Sequence, residues 1–201
     1  MGRDRDTCGR VFTLNLPNAL TVLRILLVPV LVVALLGTGG EASDVIAAVV
    51  FAVASFTDAI DGYLARSRDS ITNFGKLMDP VADKLLIIAA LLSLVSLGRL
   101  DAWVAMVIIA REFAVTVARM AARGEGVVIP ANWWGKVKTA VQVLTVFLLI
   151  LIDPSPAWVD GLVYLMVAIT LVSGIDYFFG MRRLLREADA RRAQARGSRA
   201  Q

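Results

Sequence analysis

Apolar residues in this chain gather into six long runs instead of alternating with polar ones. The runs cover about Ala19–Leu36, Val45–Ala65, Val81–Leu97, Ala102–Ala122, Val137–Ile152 and Trp158–Phe179. Each approaches the ~20 residues an α-helix needs to cross a hydrocarbon core. The pattern predicts an all-α, polytopic membrane protein with six transmembrane helices. Residues 1–17 form an N-terminal segment, 18–181 a single six-helix transmembrane domain, and 182–201 a basic tail. Gly37–Gly40 and Asp153–Pro156 read as tight turns. Residues 8–16 mix apolar and polar positions before Pro17 and suit a short interfacial helix. The Ala- and Arg-rich stretch 184–201 is expected to prolong the last helix and then fray. The first run is long for a signal-peptide core and no small-residue cleavage site follows it, so it is expected to be a retained span.

Composition agrees with the pattern: 58% of the 201 residues are hydrophobic, too many for an ordinary soluble domain of this length. The single cysteine, Cys8, rules out an intramolecular disulfide. The chain has no histidine, which removes His bases, Ser-His-Asp triads and His-ligated zinc. Any chemistry rests on carboxylates, basic residues, hydroxyls and bound metal.

The basic residues set the orientation. Arg3, Arg5 and Arg10 precede the first span, and Arg66, Arg68 and Lys76 fall between the second and third. Arg119, Arg123, Lys136 and Lys138 surround the fourth-to-fifth connection, and Arg182, Arg183 and Arg186 open the tail. The other three connections hold only Arg99. The positive-inside rule therefore places both termini in the cytoplasm. The net charge of +4 is thus a membrane feature and no nucleic-acid signal, and the tail is expected to be solvated beside anionic headgroups.

Two of the runs carry acids. Asp58-Ala-Ile-Asp61-Gly62-Tyr-Leu-Ala65-Arg66 is followed, eight residues on, by Gly75-Lys-Leu-Met-Asp79-Pro-Val-Ala-Asp83. Acids beside apolar spans are costly and mark a functional site unless they are compensated. On a helix, Asp58 and Asp61 share a face with Gly62 and Ala65, which makes a groove rather than a packed ridge. Asp79 before Pro80 suits a helix N-cap, with Asp83 one turn later on the same side. Converging carboxylates without His or a second Cys suit Mg²⁺ or Mn²⁺, hard cations that bridge phosphate oxygens. Arg66 suits contact with the same phosphates, and Gly75 would let a loop backbone approach them closely. Asp69 reads as a solvated loop residue.

The pattern D-x2-D-G-x2-A-R-x8-G-x3-D-x3-D is matched at every fixed position. It resembles the signature of the CDP-alcohol phosphotransferase family. That resemblance implies a homodimer of six-helix subunits transferring a substituted phosphate from a CDP-linked donor to an acceptor hydroxyl, with release of CMP. It also implies that Asp58, Asp61, Asp79 and Asp83 bind the metal and that Asp83 is the general base. By the same resemblance, Asp61, Gly62, Ala65, Arg66 and Gly75 hold the CDP moiety. The flanks, Asn15-Leu-Pro-Asn-Ala-Leu-Thr-Val-Leu-Arg24, Met78–Lys84, Ile109-Ala-Arg-Glu-Phe113 and Trp134-Gly-Lys-Val-Lys-Thr139, are similar to members that use CDP-diacylglycerol as donor and glycerol 3-phosphate as acceptor.

A phosphorylated acceptor needs cations. Arg111 lies well inside the fourth span, with Arg119 about two turns on. Lys136 and Lys138 stand near the start of the fifth, where a helix dipole disfavours cations unless an anion binds. These four are the expected acceptor-phosphate residues. Glu112 is not expected to face Arg111, whereas Asp176 is a possible pairing partner. Asn18 and Arg24 can serve the nucleotide or satisfy neighbouring helices. Transfer to inositol phosphate or phosphatidylglycerol is the alternative within the family, and a divalent-cation transporter is the alternative outside it.

Overall fold

A computed structural model describes residues 16–37, 40–64, 73–124 and 133–197. For residues 16–21, 58–64, 73–83, 123–124, 183, 185 and 187–197 the description is of the backbone alone. The described chain is all-helical: α1 (Leu16–Leu36), α2 (Glu41–Leu64), α3 (Asn73–Ser96), α4 (Ala102–Gly124), α5 (Trp133–Leu151) and α6 (Ala157–Gly197). Each helix overlaps one of the six apolar runs, with α3 starting well before its run. The 41-residue α6 does prolong the last run through the basic stretch, as expected. The expected interfacial helix over residues 8–16 lies, up to residue 15, outside the described residues.

Two expectations for α3 are corrected. The helix begins at Asn73, so Asp79 and Pro80 lie inside it and Asp79 is not an N-cap. Gly75 likewise belongs to the first turn of α3 and not to a loop. Pro80 lies past the first turn, so it removes the intrahelical bond to the carbonyl of Lys76.

The chain divides into two compact units, residues 1–93 and 94–201. In the first, α1 packs on α2, and Leu31, Leu35, Ala47, Ala48, Phe51 and Ala54 are buried. The alanines let the two backbones approach closely. Gly40, with φ of 112°, turns the chain between them, and its carbonyl accepts from the amides of Ser43 and Asp44 at the start of α2. The Ser43 hydroxyl donates to the carbonyl of Ala34, which lies in the last turn of α1.

In the second unit, α6 packs on both α4 and α5. Val104 and Ile108 of α4, Val146, Leu149 and Ile150 of α5, and Val159 and Met166 of α6 are buried there. Gly98 ends α3 with φ of 72°; its amide donates to the carbonyl of Val95 and that of Arg99 to the carbonyl of Leu94, the paired bonds of a glycine-terminated helix. Arg99 then reaches the other turn at this end of the unit. It donates to the carbonyl of Ile150 at 3.1 Å and pairs with Asp153 at 3.0 Å.

Candidate active site

The acids are positioned by helix register. Asp58 and Asp61 lie in the last two turns of α2, with Gly62 beside them, and Asp79 and Asp83 lie one turn apart in α3. A three- and a four-residue spacing puts each pair on one face of its helix. Side-chain placement at these four acids is outside what is described, and Gly62 and Gly75 are placed by their backbone alone. Ala65, Arg66 and Asp69 fall in residues 65–72, outside the described residues altogether. Four carboxylates, were the two pairs to converge, would make a hard, all-oxygen donor set of the kind that fits Mg²⁺ or Mn²⁺. Among the residues whose side chains are described, which exclude these acids, no group of three or more candidate ligands is arranged to hold a metal ion.

The expected acceptor residues all lie in the second unit, and the structure brings two of them together. Arg111 Nη1 donates to Glu112 Oε1 at 3.2 Å, and the same oxygen takes the ammonium of Lys138 from α5. Arg111 Nη2 donates to Ser173 Oγ of α6 at 2.9 Å. Side-chain exposures of 11% for Glu112 and 6% for Lys138 make this a buried cluster of two cations on one carboxylate. A seam of buried Gln142, Thr145 and Thr170 continues it along α5 and α6.

The expected separation of Arg111 from Glu112 is therefore corrected. Adjacent helical residues do point apart at Cβ, but an arginine has enough stem to sweep its guanidinium round to the neighbouring carboxylate. Arg111 is engaged by Glu112 and Ser173, not by Asp176. Its stem lies against Gly174 of α6, where an added Cβ would come within 3.4 Å of Arg111 Cγ.

Arg119 and Lys136 are exposed and stand outside the cluster. Arg119 sits over the ring of Tyr177, 5.7 Å from its centroid. Arg24, in α1 of the first unit, is buried to 1% exposure. Glu112, Ser173, Gly174 and Tyr177 are the residues that sequence reasoning did not select. A lone acid within an apolar run was a usable signal for Glu112. For Tyr177 no sequence signal separated it from an ordinary core aromatic.

Comparison with known proteins identifies the family. Residues 14–175 match the CDP-alcohol phosphatidyltransferase family, and the chain belongs to that family. It is 45% identical over 173 residues to a probable phosphatidylglycerophosphate synthase of Mycobacterium tuberculosis, covering 84% of this chain and 82% of that protein. It is 42% identical over 180 residues to the CDP-diacylglycerol--glycerol-3-phosphate 3-phosphatidyltransferase of Bacillus subtilis, covering 82% and 93%. A Rickettsia felis protein of the same name is 35% identical over 174 residues, covering 82% and 93%. The chain is thus a transferase of phospholipid biosynthesis.

Proposed function

We propose that this protein transfers the phosphatidyl group of CDP-diacylglycerol to glycerol 3-phosphate, giving phosphatidylglycerophosphate and CMP. The reading is supported by the names of the relatives and by the intact run of motif acids on α2 and α3. Asp58, Asp61, Asp79 and Asp83 would hold a divalent cation, which when bound supplies neutralising charge for the diphosphate of the donor. Asp83 takes the proton of the acceptor hydroxyl. The freed oxygen attacks the phosphorus bearing the diacylglycerol, the bond from that phosphorus to CMP breaks, and CMP departs. Asp61, Gly62, Ala65, Arg66 and Gly75 hold the nucleotide. Arg111 and Lys138, with Arg119 and Lys136 at the edge, attract the acceptor's phosphate. Glu112 holds both cations in place, and paired guanidinium and ammonium groups suit a phosphate ligand.

The same reading makes the protein a six-span homodimer in the cell membrane, with both termini and the active site at the cytoplasmic face. Among the described residues, Trp133–Leu151 and Ala157–Arg182 are long and apolar enough to cross a bilayer, and Val22–Leu36 and Lys84–Ser96 are shorter apolar stretches. Exposed aromatics cluster near helix ends: Trp103 and Trp158 by the starts of α4 and α6, Trp133 and Trp134 at the start of α5. Belts of this kind lie at membrane–water interfaces.

CMP release from CDP-diacylglycerol by the purified protein with Mg²⁺ tests the proposal. Release is expected with glycerol 3-phosphate and not with inositol phosphate, and it should fall about 100-fold or more in Asp83→Asn. Release with inositol phosphate alone would overturn the acceptor. Silence with both would overturn the transferase reading and direct attention to cation transport.

A further inference from the structure

We propose that Tyr177 is an acceptor-binding residue: its hydroxyl donates to a phosphate oxygen of the acceptor while its ring holds Arg119 alongside. The proposal rests on the acceptor reading given above and adds a residue to it. Tyr177 is 8% exposed, and its hydroxyl has no hydrogen-bond partner among the described residues. A buried hydroxyl without a partner is costly, and native proteins rarely keep one without a use for it. Packing alone does not account for it, because the edge-on contact with Phe178, 6.3 Å between centroids, would be made equally well by phenylalanine.

A second buried donor nearby along α6 shares this condition. Arg111 Nε is buried and unpaired, although both terminal nitrogens of the same guanidinium are engaged. Its stem and Nε lie against Gly174, and its Nη2 reaches Ser173. Tyr177 follows Gly174 by three residues and Ser173 by four, so all three share one side of α6. The contacts of Arg111 with residues 173–174 and of Arg119 with residue 177 advance together along α4 and α6. The wall between these helices therefore carries two unsatisfied donors, with the exposed cation Arg119 resting on the tyrosine ring. A multiply charged oxyanion is the ligand class that takes such donors and cations together. Tyrosine contributes a neutral donor, which adds a hydrogen bond without adding a charge.

Tyr177→Phe keeps the ring under Arg119 and deletes only the hydroxyl. Steady-state CMP release, with glycerol 3-phosphate and CDP-diacylglycerol varied in turn, should show KM for glycerol 3-phosphate rising about tenfold, the usual scale for losing a hydrogen bond to a charged group. KM for CDP-diacylglycerol and kcat should stay within about twofold, and the melting temperature should equal or exceed that of the parent, because a buried unpaired hydroxyl has been removed. Inhibition by inorganic phosphate should weaken in parallel. An unchanged KM for glycerol 3-phosphate in Tyr177→Phe, with the parent active, would overturn the role of Tyr177 and leave the acceptor reading intact. A parent protein that does not use glycerol 3-phosphate would overturn both.

Discussion

At the scale of single residues, Glu112 is the clearest case of one side chain deciding the state of others. Its carboxylate holds Arg111 and Lys138, and all three side chains are at most 14% exposed. Removing one partner from a buried ionic cluster leaves charge that neither water nor protein compensates. Glu112→Gln is therefore expected to lower the unfolding free energy in detergent by about 3 kcal/mol. Adding Lys138→Met should recover part of that loss, because one of the cations that Glu112 holds goes with it; equal or greater loss in the double variant would show that the pairing is not the cause. The same cluster marks the limit of reading a site from sequence. The motif acids Asp58, Asp61, Asp79 and Asp83 stand out in the sequence because their spacings repeat a helical turn in or beside apolar runs. The pairing of Glu112 with Arg111 was not legible, because spacing rules treat side chains as short radial vectors and Arg111 is long. The roles of Ser173, Gly174 and Tyr177 depend on which face of α6 meets α4, and an apolar run of uniform hydrophobicity does not encode that face.

At the scale of elements, sequence reading gave the helices and misjudged one of their ends. Five of the six helix starts fall within four residues of the apolar runs, whereas α3 starts at Asn73, well before Val81. The reason lies in Asn73–Lys76 and Pro80: polar residues and an interior proline look like a loop and a cap, yet they form the first turns of a helix. The turns hold the second unit's helices together through Arg99. The carbonyl of Ile150 belongs to the last turn of α5, where no amide within the helix can reach it. The guanidinium supplies that missing donor and places a cation at the negative end of the helix dipole. Arg99→Ala is expected to cost about 1–2 kcal/mol in the same detergent unfolding assay. Asp153→Asn should cost less than about 0.5 kcal/mol, since Asp153 is half exposed and water screens its half of the pair. Equal losses in the two variants would assign the stabilisation to the ion pair instead of the carbonyl bond.

At the scale of the whole molecule, charge and aromatic residues distinguish the two ends of the second unit. Arg119 and Lys136 lie toward the end of α4 and the start of α5, and Arg182 and Arg186 follow the apolar part of α6. At the other end stand Asp101, Asp153 and Asp160, with Arg99. Basic residues are retained on the cytoplasmic side during insertion, so the first end is expected to face the cytoplasm and the acidic end the outside. Two cysteine reporters in a Cys8→Ser background test this directly. Ala157→Cys is at the exposed start of α6, and Arg186→Cys is on the exposed basic stretch. In intact cells a membrane-impermeant maleimide should label Ala157→Cys and spare Arg186→Cys, and permeabilisation should expose the second. The reverse pattern would invert the protein, and with it the supply of the proposed acceptor: glycerol 3-phosphate and the nucleotide donor are cytoplasmic, and a site facing outward would not meet them. Labelling of both reporters in intact cells would mean that the apolar part of α6 does not cross the bilayer, and the six-span arrangement would fall even if the transferase chemistry stood.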